Sequence, residues 1–220
     1  MIRTLPVEPT AHPWFAHPTV VVMERLLEAA GTPQGRPVLV AVDGRQGGGK
    51  TTVAARLAEF VPLSVTVHTD DVAWWESFFG WDELMAEGIL EPLRRGQDVD
   101  YRPPAWALRA REGSIVVPAT APLVIIEGVG SSRRSLAPLL DASVWVQSDW
   151  DEANRRGIAR DGGGHAATDF WWEWDAEEQP FLAEDRPWER ADIVACGTPA
   201  LAGVEYDAAN DLIVGPSLRP

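Results

Sequence analysis

Apolar residues along this chain gather in short runs with little polar interruption, separated by longer stretches of helical spacing. Residues 38–42 (VLVAV), 123–126 (LVII) and 143–146 (SVWV) are such runs. A run of this kind suits a strand buried on both faces, as in a parallel sheet. Residues 65–68 read as a further short strand, 193–195 as a last core strand and 114–117 as a small extra one. Helical spacing predicts helices over 19–30, closed by Gly31 as a C-cap, and over 50–60, 132–140 and 168–185. A helix over 149–160 has Asp151 and Glu152 in its first turn and arginines towards its end, which matches the helix dipole. Residues 72–112 are aromatic and helix-prone, broken by Pro92, Pro103 and Pro104. Residues 1–18 read as an irregular arm, and 161–164 as a flexible glycine loop. Strands alternating with helices predict an α/β fold in three layers, α/β/α, with a central parallel sheet. One domain over 1–220 is expected, since no repeat, low-complexity tract or boundary interrupts the pattern.

Composition narrows the class. The chain has 220 residues, 45% of them hydrophobic, enough to bury a core without staples. A single cysteine, Cys196, allows no internal disulfide and fits a reducing compartment. No apolar run approaches a membrane span and the N-terminus lacks a signal-like apolar region, so a soluble cytoplasmic protein is expected. The formal charge of −14 argues against a general nucleic-acid or anionic-membrane surface. An anionic ligand must therefore be held by a local positive site.

That site is visible. Of 19 basic residues, Lys50 is the only lysine. It lies in Gly44-Arg45-Gln46-Gly47-Gly48-Gly49-Lys50-Thr51, a full G-x-x-x-x-G-K-[ST] phosphate loop between an apolar strand and an amphipathic helix. Gly44, Gly47, Gly48 and Gly49 allow backbone angles that turn N–H groups towards phosphate oxygens. The helix starting near Lys50 points its positive end at the same anion. Lys50 adds a compact charge where an arginine fork would fit poorly. Thr51 offers a hydroxyl to Mg²⁺, and Thr52 extends the nucleotide-contacting set. The expected ligands are ATP and Mg²⁺. The loop alone does not separate kinases from hydrolases, although a lone lysine excludes a guanine-specifying N-K-x-D segment.

Two neighbouring strand ends are acidic, at His68-Thr69-Asp70-Asp71 and at Ile126-Glu127-Gly128. In α/β sheets ligands gather at such carboxyl ends. Taken in order, residues 43–52, 68–71, 126–128 and 155–161 (RRGIARD) resemble the motifs of the uridine kinase and phosphoribulokinase-like P-loop kinases. The resemblance spans roughly residues 38–196. It implies a P-loop kinase fold with a small lid. It also implies Asp70 as the base oriented on an acceptor hydroxyl, Glu127 as a Mg²⁺ holder through water, and arginines of 155–160 in the lid. Asp71 is expected to cap the helix that follows. After the acidic pair this chain departs from the family, with Val72-Ala73-Trp74-Trp75 in place of the usual aromatic follow-up, and the uracil-recognising residues are not matched, which bears on uridine itself and not on phosphoryl transfer.

Arg156 and Arg160 lie four apart, on one helix face beside the glycine loop, and are expected to act as catalytic lid cations over residues 155–168. A solvated helix end is the plainer reading of them. Residues 72–112 would form an insertion on the acceptor side, with Tyr101, Arg102 and Trp106 offering a hydroxyl, a fork donor and a stacking ring to substrate. The eleven tryptophans could stack a flat acceptor or simply fill the core. The resulting expectation is an ATP-dependent kinase acting on a hydroxyl of a nucleoside or similar small metabolite. The alternatives are a phosphotransferase for an antibiotic or other secondary metabolite, and a regulatory NTPase with no small acceptor. No nucleic-acid or membrane partner is expected.

Overall fold

A computed structural model describes residues 2–162, 164–198, 201 and 203–220. Its centre is a seven-stranded sheet. The strands are β1 (Phe15–Pro18), β2 (Val38–Gly44), β3 (Val65–His68), β6 (Leu123–Glu127), β7 (Ala142–Gln147), β8 (Ile193–Cys196) and β9 (Asp211–Gly215), ordered β1-β9-β8-β7-β2-β6-β3. The five strands from β8 to β3 are parallel. The remaining strands, β4 (Val99–Tyr101) and β5 (Ile115–Val117), form a separate antiparallel ribbon. The helices are α1 (Thr19–Ala30), α2 (Lys50–Ala58), α3 (Thr69–Val72), α4 (Asp82–Met85), α5 (Glu91–Arg94), α6 (Pro104–Leu108), α7 (Trp150–Arg160) and α8 (Gly164–Asp185). A π-helical turn, Ala86–Leu90, joins α4 to α5.

The apolar runs are continuous because alternate residues serve different layers. On β2, Val40 and Val42 pack with α1 and α2, whereas Leu39 faces the α3–α5 layer. On β6, Leu123 and Ile125 join the first cluster and Val124 and Ile126 the second. On β7, Trp145 packs instead with Trp188, Leu182 and Leu5 of the N-terminal arm. The fold is thus the three-layer α/β/α arrangement, with the helices on both faces of the sheet.

The central sheet is mostly parallel, as expected, with β9 antiparallel to β8 and β1 antiparallel to β9 at one edge. Three expectations need correction. Part of the irregular arm is a strand. Residues 132–140 form turns and one 3₁₀ turn, Ala137–Leu139, rather than a helix. There Pro138 lacks a donor, and the Ser132 and Arg134 N–H groups go to the carboxylates of Asp43 and Asp185. Within the helix-prone stretch 72–112, β4 is a strand. Among the described residues no helix is long and apolar enough to cross a membrane. Gly163, in the expected lid, lies outside the described residues.

Candidate active site

Parallel register sets the site. Glu127 at the end of β6 lies opposite Val42 of β2 and His68 of β3. The phosphate loop leaves β2 at this edge and turns into α2 at Gly49. Asp43 ties the edge together. Its buried carboxylate accepts the N–H groups of Gly44 (2.7 Å), Gly130 (2.8 Å) and Ser132 (2.9 Å), and the Ser132 hydroxyl (2.8 Å). Burial pushes the Asp43 pKa up, against these four donors. Inside the loop the Arg45 carbonyl accepts the Gly48 N–H (3.0 Å) and the Lys50 ammonium (3.0 Å). Lys50 is buried, and its ammonium donates to that carbonyl and lies within electrostatic reach of Glu127.

Thr51, Glu127 and His68 form a chain. The Thr51 hydroxyl donates to Glu127 Oε1 at 3.2 Å, and His68 Nδ1 lies 2.7 Å from Glu127 Oε2. Burial raises the Glu127 pKa, but the His68 bond, the Lys50 charge and the Thr51 bond outweigh it, so the carboxyl stays below its usual range. An ionised carboxylate can only accept, which places the His68 proton on Nδ1. The same bond raises the His68 pKa. A carboxylate and a hydroxyl side by side are the hard oxygen donors that Mg²⁺ takes, with water and phosphate completing its shell. Among the described residues no group of three or more His, Cys, Asp or Glu could hold a metal by itself.

A cleft of about 320 Å³ brings together Gly47, Lys50, Thr51, His68, Asp70, Glu127 and Arg160, with Phe170 and Trp174 from α8 on its wall. Asp70 is exposed to it and has no hydrogen bond or ion pair among the described residues. Asp71 differs from expectation. It caps no helix; its carboxylate meets Arg111 at 2.5 Å, and its carbonyl accepts the Trp106 indole N–H at 2.8 Å. The two expected lid arginines separate. Arg160 lines the cleft and bonds Asp161 at 2.9 Å. Arg156 instead donates to the Gly197 carbonyl at 3.0 Å and lines a second cavity of about 170 Å³ with Gly49, Thr52, Arg56, Cys196 and Thr198.

The proposed acceptor trio does not line the cleft. Tyr101 packs on Gly88, Arg102 donates to the Arg111 carbonyl, and Trp106 is buried beneath the Arg111 guanidinium, 3.6 Å from its ring centroid. The aromatic stretches divide likewise. Trp174 meets both the cleft and Phe78, whereas Trp171 is packing, its indole set in the notch at Gly157 and bonded to Asp161 at 2.8 Å. Sequence reasoning missed Asp43, Phe170 and the α8 carboxylates Asp175 and Glu178. For Asp43 the signal was an acid closing an apolar strand; for the carboxylates it was acids on the inward stripe of a helix.

No protein-family model matches the chain, and no curated protein matches its sequence. Solved structures do match in fold. A protein named as a possible uridine kinase from Bacillus stearothermophilus superposes with a TM-score of 0.52 at 18% identity, over 80% of this chain and 96% of its own. A protein named as a putative fructose transport system kinase from Silicibacter sp. TM1040 superposes with a TM-score of 0.53 at 21% identity, over 80% of this chain and 95% of its own. At these identities the likeness is one of architecture, and with the complete phosphate loop it gives this chain the three-layer α/β/α P-loop kinase fold.

Proposed function

We propose that this protein is an ATP-dependent kinase of the uridine kinase and phosphoribulokinase-like type, passing the γ-phosphoryl group to a hydroxyl of a nucleoside or similarly sized metabolite. One observation carries the reading: Asp70, whose carboxylate makes no hydrogen bond or ion pair among the described residues, lines the same cleft as Lys50, Thr51 and Glu127. A carboxylate at this place suits a kinase, where it can orient an acceptor hydroxyl on the γ-phosphorus. The loop N–H groups and the α2 N-terminus would receive the β- and γ-phosphates. Lys50 would exchange the Arg45 carbonyl for phosphate oxygens. Thr51 and Glu127 would hold Mg²⁺, which neutralises phosphate charge when bound. Asp70 would orient the acceptor hydroxyl and take its proton as the new P–O bond forms, an effect of about 10²–10⁴-fold. Arg160 would meet the charge that develops on the transferring group. The base and ribose would lie on the loop's other side, in the cavity bounded by Thr52, Arg56 and Arg156.

The acceptor is identified by screening nucleosides and hydroxylated metabolites for ATP consumption, with products detected by mass. Turnover that is negligible until one acceptor is added, with a product heavier by one phosphoryl group, supports the reading. Steady ATP hydrolysis unaffected by any acceptor favours a regulatory NTPase.

A further inference from the structure

The inward stripe of α8 is unusual. Positions 171, 175, 178 and 182 fall on one helical face and all four are buried, but they read Trp, Asp, Glu, Leu. Two carboxylates therefore occupy positions where an amphipathic helix places apolar side chains, and a buried charge is expensive unless paired and hydrogen-bonded. Both turn to the phosphate loop. Glu178, with a fully buried side chain, accepts the backbone N–H of Gln46 at 2.6 Å through Oε1. Its Oε2 lies 3.5 Å from the Arg45 guanidinium, and Asp175 lies 3.1 Å from it. That guanidinium also bonds Asn154 at 3.0 Å and sits 3.3 Å from the Trp150 ring centroid. Glu8 of the N-terminal arm adds a third buried acid within electrostatic reach of Arg45.

We infer that Glu178 is a positioning residue for nucleotide binding: from α8 it fixes the Arg45–Gln46 peptide and thereby the carbonyl and N–H groups that shape the phosphate loop. The path is short. The Gln46 N–H belongs to the same peptide unit as the Arg45 carbonyl, and that carbonyl holds both Gly48 N–H and the Lys50 ammonium. If the peptide rotates, the loop and its lysine lose their common anchor. One helix then serves both halves of the cleft, since α8 supplies Phe170 and Trp174 to the wall and Glu178 to the loop. Asp175 differs in kind: it pairs with the Arg45 side chain and with Gln179 but touches no loop backbone.

The proposal rests on the nucleotide-binding reading of the loop, and its test needs no acceptor. Binding of Mg²⁺·ADP is measured by calorimetry for the wild type, Glu178→Ala, Glu178→Gln and Asp175→Asn, each with a thermal melt. Glu178→Ala is expected to weaken binding at least tenfold. Glu178→Gln retains an acceptor oxygen for Gln46 and should return to within threefold of the wild type, as should Asp175→Asn. A folded Glu178→Ala protein that binds like the wild type overturns the proposal, as does an Asp175→Asn loss equal to that of Glu178→Ala. Hydrogen exchange on the wild type without nucleotide gives a measurement independent of any variant's folding. The Gln46 amide should exchange at least 100-fold more slowly than an unstructured amide, and free exchange there removes the anchor. Wild-type protein that binds no nucleotide sinks the nucleotide reading itself, whereas unchanged affinity in Glu178→Ala sinks only the positioning role.

Discussion

Substitution of Gly47 by alanine tests whether the loop backbone is what receives the phosphates. Gly47 has φ = 70°, and a Cβ built there would lie 2.2 Å from the Ala153 carbonyl oxygen. That is 0.8 Å inside the 3.0 Å that real Cβ atoms keep. The neighbour cannot give way easily. Ala153 N–H is bonded to the Asp149 carbonyl, the Asp149 side chain caps α7 through the Glu152 N–H, and the Asp149 N–H is held by Thr198. The loop must therefore move. Left-handed backbone costs a non-glycine residue about 1–2 kcal/mol, and relieving the overlap about 1–3 kcal/mol more. Together this puts about 2–5 kcal/mol against the nucleotide-ready loop, or a loss of affinity from about 30-fold to a few thousand-fold at about 1.4 kcal/mol per decade. Titration with Mg²⁺·ADP reads the effect. Gly31→Ala is the control: φ is 71° there, but the added Cβ meets nothing within 4 Å, so it should cost stability and leave affinity unchanged. A Gly47→Ala protein that binds nucleotide within threefold of the wild type refutes the reasoning.

Further expectations concern the metal, the histidine and the lid. Glu127→Gln should raise the Mg²⁺ concentration needed for half-maximal activity and slow transfer; superimposable Mg²⁺ titrations would remove Glu127 from the metal site. His68, whose pKa is raised from 6.5, stabilises the fold fully below that value and loses the contribution as pH rises through its folded pKa. Glu127, lowered from 4.5, contributes above that value and loses it as pH falls through its folded pKa, so their pairing counts most between 4.5 and 6.5. The His68 side chain is 45% exposed, so screening keeps the effect below about 1 kcal/mol. In metal-free buffer the wild type should exceed His68→Gln in stability by more at about pH 5.5 than at about pH 9, and a flat difference contradicts the pairing. Gly157→Ala would place a Cβ 1.9 Å from the Trp171 ring. At about 1–3 kcal/mol of overpacking, Tm should fall by about 2–12 °C; an unchanged melt means the α7–α8 notch is loose.

The sheet centre was legible because β2, β6 and β7 are buried on both faces, which leaves an unbroken apolar signature. Lys50 was legible for a different reason, since a lone lysine among arginines is a chemical choice and not a packing one. The edges were harder. β1 is four residues long and ends in Pro18, and β9 is held by pairing with β8 on one side and β1 on the other. Residues 132–140 carry helical spacing, but distant carboxylates take the Ser132 and Arg134 N–H groups, and no local pattern records that. Asp71 and Arg111 are 40 residues apart, and Gln46 and Glu178 are 132 apart, so their pairing had no local trace. The equal spacing of Arg156 and Arg160 suggested one role, yet the phosphate loop passes between their sites and leaves each with its own cavity.

The central claim is that Asp70 directs the acceptor hydroxyl in a cleft whose other wall holds ATP. Transfer of the γ-phosphoryl group from ATP to the acceptor found by screening, measured for the wild type, Asp70→Asn and Asp71→Asn alongside ATP affinity, tests it most directly. Asp70→Asn should bind ATP as the wild type does and lose transfer by about 10²–10⁴-fold, while Asp71→Asn, altered mainly at its contact with Arg111, should retain most of it. Wild-type transfer by Asp70→Asn would contradict the account.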